Sequence, residues 1–241
     1  MKSKTFLKAL RHSIPVLLGY FAIGSAFGFL LAGEGYPWWL ALAMSAVMYA
    51  GAGQYIAVGL FAAGTTLWEA ALVQIMVNAR HVAYGLSMMN RFRAAAGPLR
   101  LYLIFGLTDE TFALLSSLPE NEDGREDARL MFLVTLLNHA YWVLGSLIGA
   151  VAGSLIPFGA EGIGFALTAL FIVLMIEQML RLRTPGVFVV SAAVAIACAL
   201  ILPTRISLLA ALALALAAAS LLPRNGAGSG ANSGTTKGGG A

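Results

Sequence analysis

Two acids stand side by side in the middle of an apolar run. Asp109 and Glu110 sit within Leu101–Leu118, a stretch bounded by Arg100 and Pro119. A carboxylate in hydrocarbon is expensive, so intramembrane acids mark proton relays, ion paths or buried ion pairs. Adjacent helical positions point about 100° apart, which keeps both carboxyls out of one narrow pocket. One can pair with a buried cation. The other can take up a proton, because desolvation disfavours the charged form. The bland alternative is a short helix whose carboxyls reach water.

The cation on offer is Arg80, within Asn78-Ala79-Arg80-His81-Val82-Ala83-Tyr84-Gly85 of the preceding run. A buried arginine stays ionised and presents five donors, which suits a carboxylate on a side chain or a substrate. At helical spacing Gln74, Asn78, His81 and Gly85 share one face, with Arg80 and Tyr84 on the next. An early helix end would instead let Arg80 snorkel to the interface.

A third cluster, Ala50-Gly51-Ala52-Gly53-Gln54-Tyr55, lies inside a run longer than one straight span needs. Glycines there permit a helix break, and the exposed backbone N–H groups of a broken helix can bind a carboxylate. The competing reading is close helix contact. No strand precedes these glycines, so they are not a dinucleotide fingerprint.

Weaker candidates are Glu177 and Gln178 near the end of the sixth run, and Asn138, His139 and Trp142 as cavity lining. No His/Asp/Glu grouping has metal-ligand spacing, and no nucleophile elbow or P-loop is present. The sequence predicts neither an enzyme nor a cofactor.

The elements that hold these residues follow from composition. Only 11% of the 241 residues are charged, against about 25% in soluble domains, while 59% are hydrophobic. Such a chain cannot cover its own surface in water, and disorder is excluded by the same hydrophobicity. The apolar runs are long and do not alternate: Ile14–Ala32, Trp38–Ala63, Trp68–Met89, Leu101–Leu118, Leu130–Ile156, Ile163–Leu180, Val187–Leu202 and Ile206–Leu222. A spanning helix needs about 20 apolar residues, whereas barrel strands alternate over about 10. The expectation is an all-α, polytopic transmembrane bundle of 7 or 8 spans. It forms one membrane domain over 1–223, followed by a flexible Gly-rich tail over 224–241.

Cys198 is single, which excludes internal disulfides, and the scattered basic residues leave no nucleic-acid footprint. Lys2, Lys4, Lys8 and Arg11 precede the first run, and Gly24-Ser25-Ala26 offers a small-x-small pattern. The run continues past it, so the reading is a retained first helix with a cytoplasmic N-terminus. Plain spans then put Arg91, Arg93 and Arg100 outside, against the positive-inside bias. A re-entrant or broken second or third segment would bring that loop inside but misplace Arg181 and Arg183.

Gly24-Ser25-x-x-Gly28 recurs as Gly145-Ser146-x-x-Gly149, followed by Pro37 and Pro157, then by runs ending in Gln54 and Gln178. This spacing suggests two pseudo-repeats with broken helices and a site at their interface. The Gly-x-x-x-Gly steps also suit close helix packing.

The three clusters resemble motifs of the AzlC-type branched-chain amino-acid exporters. Ala50–Tyr55 is similar to A-G-A-x-Q-F, Asn78–Gly85 to N-x-R-H-x-x-Y-G, Phe105–Ala113 to F-x-L-T-D-E-x-F-A, and Trp142–Gly149 to W-x-x-G-x-x-x-G. The resemblance covers roughly residues 10–200. Tyr55 replaces the usual Phe, and Gly164 stands where many members carry Asp. The resemblance implies a secondary exporter in the bacterial inner membrane, working with a small AzlD-type membrane protein; the opposite charges in neighbouring apolar runs point to the proton motive force as its drive. Gly51, Gly53, Gln54, Asn78, Arg80, His81 and Tyr84 are then candidates for binding the amino acid, and Asp109 and Glu110 for proton coupling. The reading from another class is a non-transporting scaffold whose buried charges are interhelical glue.

Overall fold

The computed structural model describes residues 2–156 and 185–202, with isolated helical positions between 169 and 218. All regular structure among the described residues is helical. The chain forms two compact units, Met1–Met175 and Ile176–Ala241. In the first lie α1 (Lys2–Gly33), α2 (Trp38–Val47), α3 (Gly51–Ala62), α4 (Leu67–Asn78), α5 (Arg80–Met88), a 3-10 turn (Arg91–Ala94), α6 (Gly97–Phe105), α7 (Asp109–Ser117) and α8 (Gly124–Leu155). In the second lies α9 (Pro185–Ile201), apolar but for Ser191. Pro157, Gly164, Glu177, Gln178, Arg181, Arg183 and the tail over 224–241 lie outside the described residues.

Among the described residues two helices, α1 and α8, are long and apolar enough to cross a membrane, and they form the spine. Their seam is made by the repeated Gly-Ser-x-x-Gly. A Cβ on Gly28 would collide with the Ser146 backbone, and one on Gly149 with the Ser25 backbone. Each motif's last glycine thus receives the other motif's serine, a self-complementary contact. On either side of it, a Cβ on Gly145 would lie 2.8 Å from the Phe21 carbonyl oxygen, and one on Gly153 2.9 Å from that of Phe29. Earlier on the seam, the Ser13 and Tyr141 hydroxyls meet at 3.0 Å. Contacts rise together on both helices, so the pair runs parallel.

Two of the apolar runs do not continue as straight helices. The run Trp38–Ala63 breaks at Met48–Ala50 and folds back. Tyr36 before α2 and Phe61 near the end of α3 pack at a tilt with ring centroids 5.3 Å apart, and Gln54 donates to Ser45 across the break at 3.0 Å. At its tip Tyr49 takes a left-handed φ of 40°, a conformation costing about 1–3 kcal/mol outside glycine. Packing on His139, with centroids 4.2 Å apart, and edge-on against Tyr20 holds it there.

The run Leu101–Leu118 breaks at Gly106–Thr108 and folds back from the other end. Arg91 donates to the carbonyls of Leu115 and Leu118 near the end of α7, and Arg100 in α6 donates to those of Phe92 and Ala95. Both ends of this hairpin therefore sit on the 3-10 turn. Its tip needs glycine: a Cβ on Gly106 would collide with the Thr135 side chain of α8.

The intervening run does traverse. Thr66 and Glu69 close a capping box at the start of α4, near the outer ends of the first hairpin. Gln74 then reaches the Gly53 carbonyl beside its tip at 2.8 Å, and after a break at Ala79 α5 ends at Met88, in the core cluster with Phe92 and Leu118. At that same end Arg91 pairs with Asp127 at 2.9 Å, their side chains only 9% and 5% exposed. The hydrogen bond to Asp127 pushes the Arg91 pKa up from its ordinary value, against the opposing effect of burial.

Candidate substrate site

Both hairpin tips arrive at the same level of the α1–α8 spine. Tyr49 of the first packs against Phe105 before the second tip, with centroids 6.1 Å apart. Tyr20 and Trp142 lie at this level, about 20 Å below the end of α1 by helical rise. Here the acids begin a half-helix. Thr108 caps α7 by accepting from the Thr111 N–H at 3.2 Å, which places Asp109 and Glu110 in its first turn. Acids are stabilised there by the free N–H groups and the helix dipole.

The two carboxyls diverge, as their helical offset requires. Asp109 takes Arg80 at 2.7 Å and the Tyr84 hydroxyl at 2.6 Å. Glu110 turns to α1, where the Tyr20 hydroxyl donates to it at 2.8 Å. Arg80 opens α5 directly after the Ala79 break and does not snorkel to an end of the bundle. Its Nε is buried with no hydrogen-bond partner, and its side chain is 36% exposed. A cation with donors to spare, paired with an acid at a break in two helices, can exchange one carboxylate for another.

The face expected on the Asn78 segment is split by the break. Asn78 donates to the Gln74 side chain at 3.0 Å, and both lie against Gly53, where a Cβ would be 2.7 Å from Gln74 Oε1. His81 and Gly85 instead line a groove of about 530 Å³ with Val82, Leu86 and Ile104. Gly51 packs on the Trp142 indole, at 3.1 Å for a Cβ. Close contact therefore accounts for both glycines, although no side chain caps the start of α3. Gln54 is fully buried, and its amide is taken up by Ser45 and by the Trp142 N–H at 2.8 Å.

Sequence reasoning missed the hydroxyls. Tyr20 meets Thr108 as well as Glu110, Thr108 donates to Thr111 at 3.0 Å, and Asn138 donates to Thr111 at 3.1 Å. His139, expected only as cavity lining, joins Tyr102 at 3.0 Å and the Ser45 carbonyl at 3.2 Å. The available signal was weak: isolated tyrosines and threonines in apolar runs are common and carry no charge.

A family profile described as AzlC protein matches residues 15–156, more than half of the chain and all of this site. The chain belongs to the AzlC family. It is similar to the Bacillus subtilis branched-chain amino acid transport protein AzlC, 38% identical over 178 residues, covering 73% of this chain and 68% of that one. An uncharacterized membrane protein of Helicobacter pylori is 42% identical over 211 residues, 88% of this chain and 92% of its own. The Escherichia coli inner membrane protein YgaZ is 32% identical over 185 residues, 74% and 75% of the two chains. No solved structure matches. The AzlC profile contains Gly51–Tyr55, Arg80, Asp109 and Glu110, and with them every contact of the paired hairpin tips. The chain is thus a membrane protein of an AzlC transport family.

Proposed function

We propose that this AzlC protein exports branched-chain amino acids or close analogues across the bacterial inner membrane. The proton motive force drives it, and a small AzlD-type membrane protein assists. The observation that carries this reading is the Arg80–Asp109 pair, held at mid-depth between a broken crossing helix and the tip of a fold-back hairpin. Discontinuous helices of this kind supply transporters with half-helix ends and exposed backbone for substrates and ions.

Arg80 receives the substrate carboxylate, assisted by the uncapped N–H groups at Gly51–Gly53. Gln54 and Asn78 hold the tip and the neighbouring turn, His81 and Tyr84 border the site, and an acid of the Asp109–Glu110 pair carries the proton. Within residues 2–156, α1, α4–α5 and α8 cross the bilayer, while α2–α3 and α6–α7 enter and leave by one face. This lowers the crossings below a plain span for every apolar run. It also gathers Lys2, Lys4, Lys8, Arg11, Arg91, Arg93, Arg100, Arg125 and Arg129 at one end, which is the cytoplasmic one by the positive-inside bias.

The test is efflux of valine and leucine from cells or into everted vesicles, with and without the small partner. Arg80→Gln and Asp109→Asn should abolish it while membrane insertion persists. The scaffold reading also draws on the ion pair, as interhelical glue. It gains if radiolabelled amino acid stays in cells whether or not both proteins are expressed.

A further inference from the structure

Resting on the transport reading above, we infer that the adjacent carboxyls divide the work. Asp109 is the fixed counter-ion that yields Arg80 to the substrate carboxylate, and Glu110 takes and releases the proton, with Tyr20 as its positioning residue.

The partners decide the division. Asp109 accepts from a guanidinium and from a phenol, Arg80 at 2.7 Å and Tyr84 at 2.6 Å. Protonating it would leave Arg80 as an uncompensated charge at mid-depth, which is strongly unfavourable in a low dielectric. Among the described residues Glu110 has no cation of its own. The groups that face it are Tyr20 from α1, Tyr49 from the first hairpin tip, Tyr84 from α5 and its neighbour Asp109; α8 presents the neutral Asn138 beyond Thr111. A proton can therefore join or leave Glu110 without breaking an ion pair.

The hydroxyls beside it accommodate either state. With Glu110 ionised, Tyr20 donates to its carboxylate and Thr108 can donate to Tyr20. When a proton bonds to Glu110 Oε2, that oxygen donates to Tyr20 Oη. The Tyr20 proton then turns to Thr108 Oγ1, and Thr108 donates to Thr111. One proton arrives from water on one side and leaves to water on the other, and nothing is oxidised or reduced. Every hydroxyl remains bonded in both states, because a hydroxyl both donates and accepts. Asn138 Oδ1, buried with no partner, marks the inner end of this chain and leaves an acceptor for a further donor.

The experiment uses everted membrane vesicles carrying the full chain with its small membrane partner, and reads two quantities for leucine. One is accumulation driven by an acid interior; the other is counterflow exchange at equal pH. Glu110→Gln should lose pH-driven accumulation while leucine exchange stays measurable, and Asp109→Asn should lose both. Glu110→Asp, which keeps a titratable group, should restore part of the pH-driven uptake. Tyr20→Phe removes a donor to the ionised carboxylate, so it should move the pH profile of transport upward while exchange persists. Exchange lost in Glu110→Gln at normal membrane abundance, or pH-driven accumulation kept, overturns the assignment. Asp109→Asn that exchanges but does not accumulate hands the proton to Asp109 instead. If wild-type vesicles exchange no amino acid at all, the transport reading itself fails and this assignment falls with it.

Discussion

At the residue scale, the site rests on opposite charges set within apolar runs. Arg80 and Asp109 can be separated into transport and glue by a double variant. If the pair merely holds helices, the neutral combination Arg80→Gln with Asp109→Asn should restore whatever either single change removes. If Arg80 receives substrate, the double variant should be as inactive in leucine efflux as each single one. The second ion pair tests stability. Arg91 and Asp127 are nearly buried, and Arg91 also satisfies two carbonyls near the end of α7. Arg91→Ala leaves a buried carboxylate without its cation, a loss of about 3–5 kcal/mol in comparable cases. Thermal unfolding in detergent should show a clearly lowered midpoint, partly recovered by adding Asp127→Asn. The motif residues Arg80, Asp109 and Glu110 were legible because charge in an apolar run is rare. Tyr20 and Thr108 were not, and Asn138 was legible only as cavity lining, because a hydroxyl or amide reveals its importance only through the partner opposite it.

At the element scale, the α1–α8 seam depends on the absence of side chains at Gly28 and Gly149. In a membrane, helix association rests on close packing rather than on hydrophobic burial, so small residues at such a seam matter. Gly28→Ala and Gly149→Ala each force the parallel helices apart, at about 1–3 kcal/mol by the usual cost of overpacking. Gly19→Ala, with nothing within 4 Å of the added carbon, is the matched control. Size-exclusion profiles after heating should separate the seam variants from this control and from the wild type. The Gly-Ser-x-x-Gly repeat was visible as letters, and packing was among its readings. That the two copies pack against each other is a property of the folded chain, since a sequence carries no record of which distant helix faces which.

At the scale of the whole molecule, fold-back hairpins change which loops share a side. Plain spans put residue 65 with the N-terminus and residue 93 opposite; the hairpins reverse both. In a Cys198→Ser background, Thr65→Cys should label from the periplasmic face and Arg93→Cys only after the cytoplasmic face is opened. A reversed pattern would restore the plain spans and remove the shared mid-depth level of the two tips. The membrane setting, the helical class and the charged motifs were all legible in the amino-acid order. Those depend on the transfer free energy of local runs, which composition and length report directly. Which runs break and fold back came from the tertiary contacts, because half of a straight helix and one arm of a hairpin have the same composition. They also decided that Arg80 meets Asp109 and not Glu110, because that choice follows from where Gly106–Thr108 brings the first turn of α7.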